Sequence, residues 1–331
     1  AGMTARQPAA IFRSTDRGRT WAVIETPFRM GGNEDGRGMG ERLAVNPARP
    51  DTLFFGSRHD GLWRSDDAGS SWARVQGFPW KGLGLPAEKQ PTHGGVSFLL
   101  FAGGVLYAGV TDPGAPRLLR SADGGRSWDV VAGGPSPDML PVKAVADDAG
   151  RLFIAYSDRI GPSGITRGAV WRLDGNSWKD VTPQGQGGAG YMGLSAAHGL
   201  LAVGTVGRWN PDDTVWLSRD GGDSWDDLGA RSRRDVSAVP FLNGQPSASG
   251  GHGAEFGHWI AGVLLDPDRP GRLAYVTGAT IYATDDARQP GTLLWKPWVE
   301  GIEQTAIITL ASPTAGPSLV SGFRSGFAIA V

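Results

Sequence analysis

One motif recurs along this chain and constrains its fold more than anything else in it: Ser-x-Asp-x-Gly-x-x-Trp. It stands as Ser14, Asp16, Gly18, Trp21, then as Ser65, Asp67, Gly69, Trp72. It returns as Ser121, Asp123, Gly125, Trp128 and as Ser218, Asp220, Gly222, Trp225. Two decayed copies fill the gaps: Trp171 to Trp178 keeps the Gly and Trp positions, and Thr284-Asp-Asp286 keeps the start ahead of Trp295. A period of about 50 residues is the size of one four-stranded propeller blade.

Each copy reads as a hairpin clasp. An apolar strand such as Arg117-Leu-Leu-Arg120 precedes it and another, Asp129-Val-Val131, follows. Between them an Asp side chain can accept hydrogen bonds from the turn's amides, Gly supplies positive φ, and Trp folds back over the hairpin. Upstream lies a second hairpin. Leu43 to Pro50 leads to Leu53-Phe-Phe-Gly56, and Val263 to Pro270 leads to Leu273-Ala-Tyr-Val276, each a strand, a proline-fixed turn and a strand.

The expected fold is an all-β propeller of four-stranded blades, about six blade-equivalents, as a single domain over 1–331. It would comprise a half blade at 9–25, blades at 37–76, 94–132, 140–182, 190–229 and 258–299, and a half blade at 302–322. The two halves could close a ring, or be stubs of different blades in a longer parent. Composition agrees with the fold. Glycine and proline fill 75 of 331 positions, and only seven Glu and five Lys are present, so good helix formers are scarce.

The absence of cysteine excludes disulfides and thiolate chemistry, and a net charge of −1 without a basic block excludes a phosphate-backbone binder. No apolar run is long enough to span a membrane, no signal peptide is visible, and no nucleic-acid or membrane partner is expected. Of five His, only His252 and His258 are close, without a third ligand at a recognised spacing, so no metal and no cofactor are expected.

Asp16, Asp67, Asp123 and Asp220, with Trp21, Trp72, Trp128 and Trp225, read as structural, since a residue holding its own turn is a poor proton donor. Function is expected in the departures from the repeat: 30–42, 78–95, 207–213 and 231–259. Trp80, Trp209 and Trp259 sit in these segments, and an exposed indole offers a face to a pyranose and an N–H to its hydroxyls. Arg37, Glu41, Arg42, Asp212 and Asp235 are candidate polar partners.

The segments also carry a resemblance. Ile11 to Trp21, Thr26-Pro-Phe, Gly31-Gly-Asn and Gly36-Arg-Gly-Met-Gly-Glu-Arg-Leu-Ala-Val45 resemble glycoside hydrolase family 74, as do Gly207-Arg-Trp209 with Pro211-x-Asp213 and Phe256-Gly-His-Trp259. Tyr275-Val-Thr-Gly278 and Gly301-Ile-Glu303 fit as well. The likeness implies a secreted, metal-independent hydrolase of two seven-bladed propellers with the substrate between them. Such enzymes cleave the β-1,4-glucan backbone of xyloglucan with inversion, using one Asp from each propeller. This chain resembles most of the first propeller, so a second propeller is an implied partner.

Neither catalytic Asp is matched. One family Asp lies in a Thr-Asp-x-Gly-Gly context upstream of the match. The other follows a segment like Ala311 to Pro317, where this chain has Leu319-Val-Ser-Gly-Phe-Arg-Ser-Gly-Phe327. The implied catalytic set here is therefore empty. The implied binding set for a β-glucan or xyloglucan oligosaccharide is Arg37, Glu41, Arg42, Trp80, Trp209, Asp213, His258 and Trp259. The competing expectation is a non-catalytic glycan- or protein-interaction propeller.

Overall fold

The computed structural model describes residues 9–32, 34–80, 94–183, 190–208, 212–239, 242, 256–257, 260–277 and 280–299, and the backbone of three strands within 307–330. Strands β1 (Ala9–Arg13) and β2 (Ala22–Thr26) form a hairpin. Four antiparallel meanders follow. The first is β3 (Leu43–Val45), β4 (Leu53–Gly56), β5 (Leu62–Ser65) and β6 (Ala73–Arg74). The second is β7 (Val96–Ala102), β8 (Val105–Val110), β9 (Leu118–Ser121) and β10 (Asp129–Val130). The third is β11 (Leu140–Ala146), β12 (Leu152–Ser157), β13 (Gly168–Asp174) and β14 (Ser177–Asp180). The fourth is β15 (Gly190–Ala197), β16 (Leu200–Val206), β17 (Val215–Ser218) and β18 (Asp226–Asp227).

The next sheet departs from the pattern. Its meander, β20 (Gly262–Leu265), β21 (Leu273–Val276), β22 (Ile281–Thr284) and β23 (Leu293–Pro297), gains a fifth strand. That strand, β19 (Ser232–Arg234), pairs parallel to β23, inside a segment the sequence reads as an insertion. The final sheet, β24 (Ile307–Ala311), β25 (Val320–Phe323) and β26 (Ala328–Ala330), has three strands, the last beyond the half blade expected at 302–322. This is a β-propeller architecture with about six blade-equivalents.

The core lies between successive sheets, because side chains alternate along each strand and both faces are covered. On β12, Leu152, Ile154 and Tyr156 join Phe98 and Leu118 of the preceding sheet, while Phe153 and Ala155 join Leu194, Leu201 and Val203 of the following one. Phe54 and Leu62 pack on Leu99, Leu106 and Leu119. Leu200, Val215 and Leu217 pack on Leu273, Tyr275 and the fully buried Trp295. Each fully buried side chain of this size stabilises by about 1.5–3 kcal/mol.

The Ser–Asp turns of the four clasps share one geometry. Ser14 Oγ donates to Asp16 Oδ1 at 2.7 Å and accepts from the Gly18 N–H at 2.7 Å. The Thr20 N–H and hydroxyl donate to the two Asp16 oxygens at 2.8 and 2.6 Å, and Trp21 Nε1 donates to the Gly18 carbonyl at 3.0 Å. Asp67, Asp123 and Asp220 repeat the arrangement with Ser71, Ser127 and Ser224. The hydroxyl just before each Trp is thus part of the motif. Trp72 and Trp128 bond their own turns, whereas Trp225 reaches Val181 and Trp178 reaches Ala132. Trp21 is 59% exposed rather than sealing a core.

Arginines tie clasp to clasp. Arg13 donates to Ala68 O and Ser70 Oγ, Arg64 to Gly124 O, and Arg172 to Gly221 O and Asp223. The topology then separates two faces. The turns joining first to second and third to fourth strands, clasps included, lie at one end of each meander. The second-to-third and sheet-to-sheet connections lie at the other.

Candidate functional site

The connection face is organised by the segment from β2 to β3. Rather than looping away, it crosses the inner strands of several sheets. The Gly36 N–H donates to the Gly161 carbonyl at 2.5 Å, the Gly40 N–H to Val142 O at 3.2 Å, and the Leu99 N–H to Glu41 O at 2.8 Å. Met39 packs among Val142, Ile165, Tyr191 and Met192. Glycine is required where the segment presses on its neighbours. A Cβ at Gly38 would sit 2.9 Å from Met192 Sδ, and one at Gly94 would sit 1.9 Å from Thr111 Oγ1 and 2.7 Å from Met39 Cε.

Arg58 pins this segment from beneath. Its side chain is 1% exposed, and it donates to Gly31 O at 2.8 Å and to Asp35 O. Burial pushes its pKa down, opposed by the Glu34 carboxylate 3.7 Å away. Glu34 also meets His59 Nε2 at 2.9 Å. A guanidinium is suited to this place, being always charged and able to satisfy several carbonyls from one rigid fork.

The sequence-derived residues divide. Arg37 lies at the surface, 3.8 Å from Asp35. Glu41 has an exposed carboxylate held 3.2 Å from Lys143 Nζ. Arg42 lies beneath them, donating to Met30 O at 3.1 Å and lying over the Phe55 ring at 5.8 Å. Burial, with the nearby Arg58 charge adding, brings its pKa down to about 10. Trp80 is half-buried, and its N–H is engaged by the buried Asp112 carboxylate at 2.7 Å. That donor is therefore not offered to a ligand. Asp213 is 1% exposed and accepts from Thr205 Oγ1 and the Arg208 N–H, both at 3.0 Å. It shapes the β16–β17 connection from inside. Trp209, His258 and Trp259 lie outside the described residues.

A cleft opens beside the crossing segment, about 420 Å³ in volume. Asp35, Gly94, Thr111, Asp158, Arg159 and Gly161 are among the residues that line it. The sequence reading missed it, because its walls come from four separate connections: β2–β3, β6–β7, β8–β9 and β12–β13. Arg58 was missed as well. Its only local signal is a lone Arg in a short turn, Ser57-Arg-His-Asp60, between two apolar strands. Among the described residues no group of three His, Cys, Asp or Glu is placed to hold a metal ion, and no helix is long and apolar enough to cross a membrane.

Fold and face define a propeller of aspartate-clasp blades, with its connections gathered on one side. No protein-family profile matches the chain. A xyloglucanase from Paenibacillus sp. is 36% identical over 95% of this chain and 34% of its own length. A probable oligoxyloglucan-reducing end-specific xyloglucanase from Neosartorya fischeri is 33% identical over 95% of this chain and 46% of its own. The crystal structure of the GH74 xyloglucanase from Xanthomonas campestris superposes with a TM-score of 0.79 at 31% identity, over 97% of this chain and 48% of that one. Sequence and fold together place the chain with glycoside hydrolase family 74. It spans between a third and a half of the length of these relatives.

Proposed function

We propose that this propeller binds β-1,4-glucan chains of the xyloglucan type across its connection face, as one part of a xyloglucan-degrading enzyme. The observation that carries this is the crossing segment. The stretch Gly36 to Val45, one of those that resemble family 74, is held by its own glycines and, through the Gly31 and Asp35 carbonyls before it, by the buried Arg58, which keeps Asp35, Arg37 and Glu41 at the surface. Rigid polar groups around a cleft reduce the ordering cost of binding a flexible oligosaccharide.

Hydrolysis with inversion needs an acid and a base on opposite sides of the scissile bond. Of the carboxylates described on this face, Glu34 is engaged with His59 and Arg58, Glu41 with Lys143, Asp213 within its own connection and Asp158 with Thr166, so the exposed Asp35 stands without a second uncommitted carboxylate among the described residues. In this reading the chain supplies binding, and the reacting carboxylates come from outside it, with a second propeller closing the cleft. A secreted setting follows from the polymeric substrate.

Calorimetry with a xyloglucan oligosaccharide, paired with a reducing-end assay, tests the proposal. Saturable binding without release of reducing ends is the expected result. Release that survives substitution of every carboxylate on the face would overturn the assignment, and absence of binding would favour a protein-interaction module.

A further inference from the structure

Lys143 stands on β11, the first strand of the third meander, which lies against β7 and β15. Its side chain is only 10% exposed, and its ammonium has one hydrogen-bond partner among the described residues, Glu41 Oε1 at 3.2 Å. A lysine so placed is costly unless its charge is paired. Glu41 is the reverse case. Its carboxylate is 82% exposed, while its backbone is anchored over two strands by the Gly40 N–H to Val142 O bond and the Leu99 N–H to Glu41 O bond.

Neither neighbouring arginine can take the place of Lys143. Arg42, next along the chain, is buried, donating to Met30 O at 3.1 Å and lying over the Phe55 ring. Arg37, on the same segment, lies 3.8 Å from Asp35. Glu41 is therefore neutralised by one cation fixed beneath it. Its second oxygen, Oε2, carries no hydrogen bond among the described residues and is left to face a ligand.

Resting on the glucan-binding reading above, we infer that Lys143 sets the charge selectivity of the connection face, admitting neutral glycans and rejecting cationic ones such as amino-sugar polymers. It does so as a positioning residue, through Glu41. A neutral hydroxyl can donate to Glu41 Oε2 while Lys143 holds Oε1. An ammonium approaching the same carboxylate meets the Lys143 charge directly behind it. A lone exposed carboxylate would attract that ammonium, and the paired one does not. Discrimination of this kind needs a repulsive element as well as an attractive one, and Lys143 is that element. Its partly sheltered position keeps the repulsion from being fully screened by solvent.

The test compares a cello-oligosaccharide with a fully deacetylated chito-oligosaccharide of equal length, by calorimetry on the intact chain at a pH where the ligand's amino groups are protonated. The two β-1,4-linked ligands differ only in a hydroxyl or an ammonium at C2. The wild type should bind the neutral one more tightly. Lys143→Met, which keeps the apolar stem and removes the charge, should bind the cationic ligand about tenfold more tightly than the wild type does. Lys143→Arg should keep the wild-type order. Adding Glu41→Gln to Lys143→Met should abolish the gain, and high salt should shrink it. Glu41→Gln alone changes an exposed side chain, requires no repacking around β11, and should weaken the cationic ligand further. A wild type that prefers the cationic ligand, unchanged cationic affinity in both Lys143→Met and Glu41→Gln, or a gain that persists in the double variant would overturn the role of Lys143 and leave glucan binding standing. A wild type that binds neither ligand would overturn both.

Discussion

Asp67 accepts the Ser71 hydroxyl at 2.6 Å and the Ser71 amide at 2.8 Å, and these bonds bring its pKa down to about 2. The Ser71 hydroxyl contributes most, its amide next, then Ser65. Asp16 and Asp220 reach about 2 for the same reason, and Asp123 is lowered likewise. A carboxylate whose folded pKa lies below its unfolded value of about 3.9 adds stability that is fully present above the unfolded value. That contribution is lost as pH falls through the folded value. Acid unfolding followed by tryptophan fluorescence should therefore show stability falling between about pH 4 and pH 2. Asp67→Asn should lower Tm at pH 7 and make the fall through this window shallower. An unchanged pH profile in the variant would show that the carboxylate contributes nothing there. These groups are exposed and committed to their turns, which fits a structural role better than proton transfer.

Elements show how far the sequence could be read. The hairpins, their alternation and the clasp turns were legible, because period-2 apolar runs and a fixed turn chemistry are local signals. The hydroxyl before each Trp was present in every copy, as Thr20, Ser71, Ser127 and Ser224, and comparing the four copies would have revealed it. Strand β19 was not legible. Ser232-Arg-Arg234 has no apolar alternation, and it is a strand because Ser232 Oγ accepts the Trp295 N–H at 2.7 Å while its backbone completes the edge of β23. Asp213, which the resemblance places in the implied binding set, is a buried acceptor within its own connection. The reach of the crossing segment was also hidden, since its partners lie in β7, β11, β15 and the β4–β5 and β12–β13 connections. Its dependence on glycine can be tested. Gly38→Val should force Met192 and Ala261 apart and destabilise by about 1–3 kcal/mol in chemical denaturation, as overpacking does. The same substitution at Gly150, whose Cβ would meet nothing within 4 Å, provides a control for backbone strain without crowding, since its φ is +79°.

For the molecule as a whole, the consequence of strand alternation is that the clasps and the proposed binding face lie at opposite ends of the same strands. Clasps and the arginines that join them occupy one face, and the crossing segment and its cleft occupy the other. Between them lie sheets buried on both sides, where Phe54→Ala should cost about 3–5 kcal/mol and abolish binding only by unfolding the chain. The two faces should then respond separately to mutation. Replacing Arg13, Arg64 and Arg172 together by Ala removes ties from Ala68, Gly124 and Gly221. At about 0.5–1.5 kcal/mol per hydrogen bond, the loss should be a few kcal/mol, nearly additive because the sites are well separated. Ligand affinity measured below the lowered Tm should equal that of the wild type. Arg58→Met should do the reverse in proportion. It releases the Gly31 and Asp35 carbonyls, so affinity should fall at temperatures where the fold, followed by circular dichroism, is intact. If the clasp-face variant lost affinity while folded, the sheets would be transmitting strain from one face to the other, and binding could not be assigned to the connection face alone.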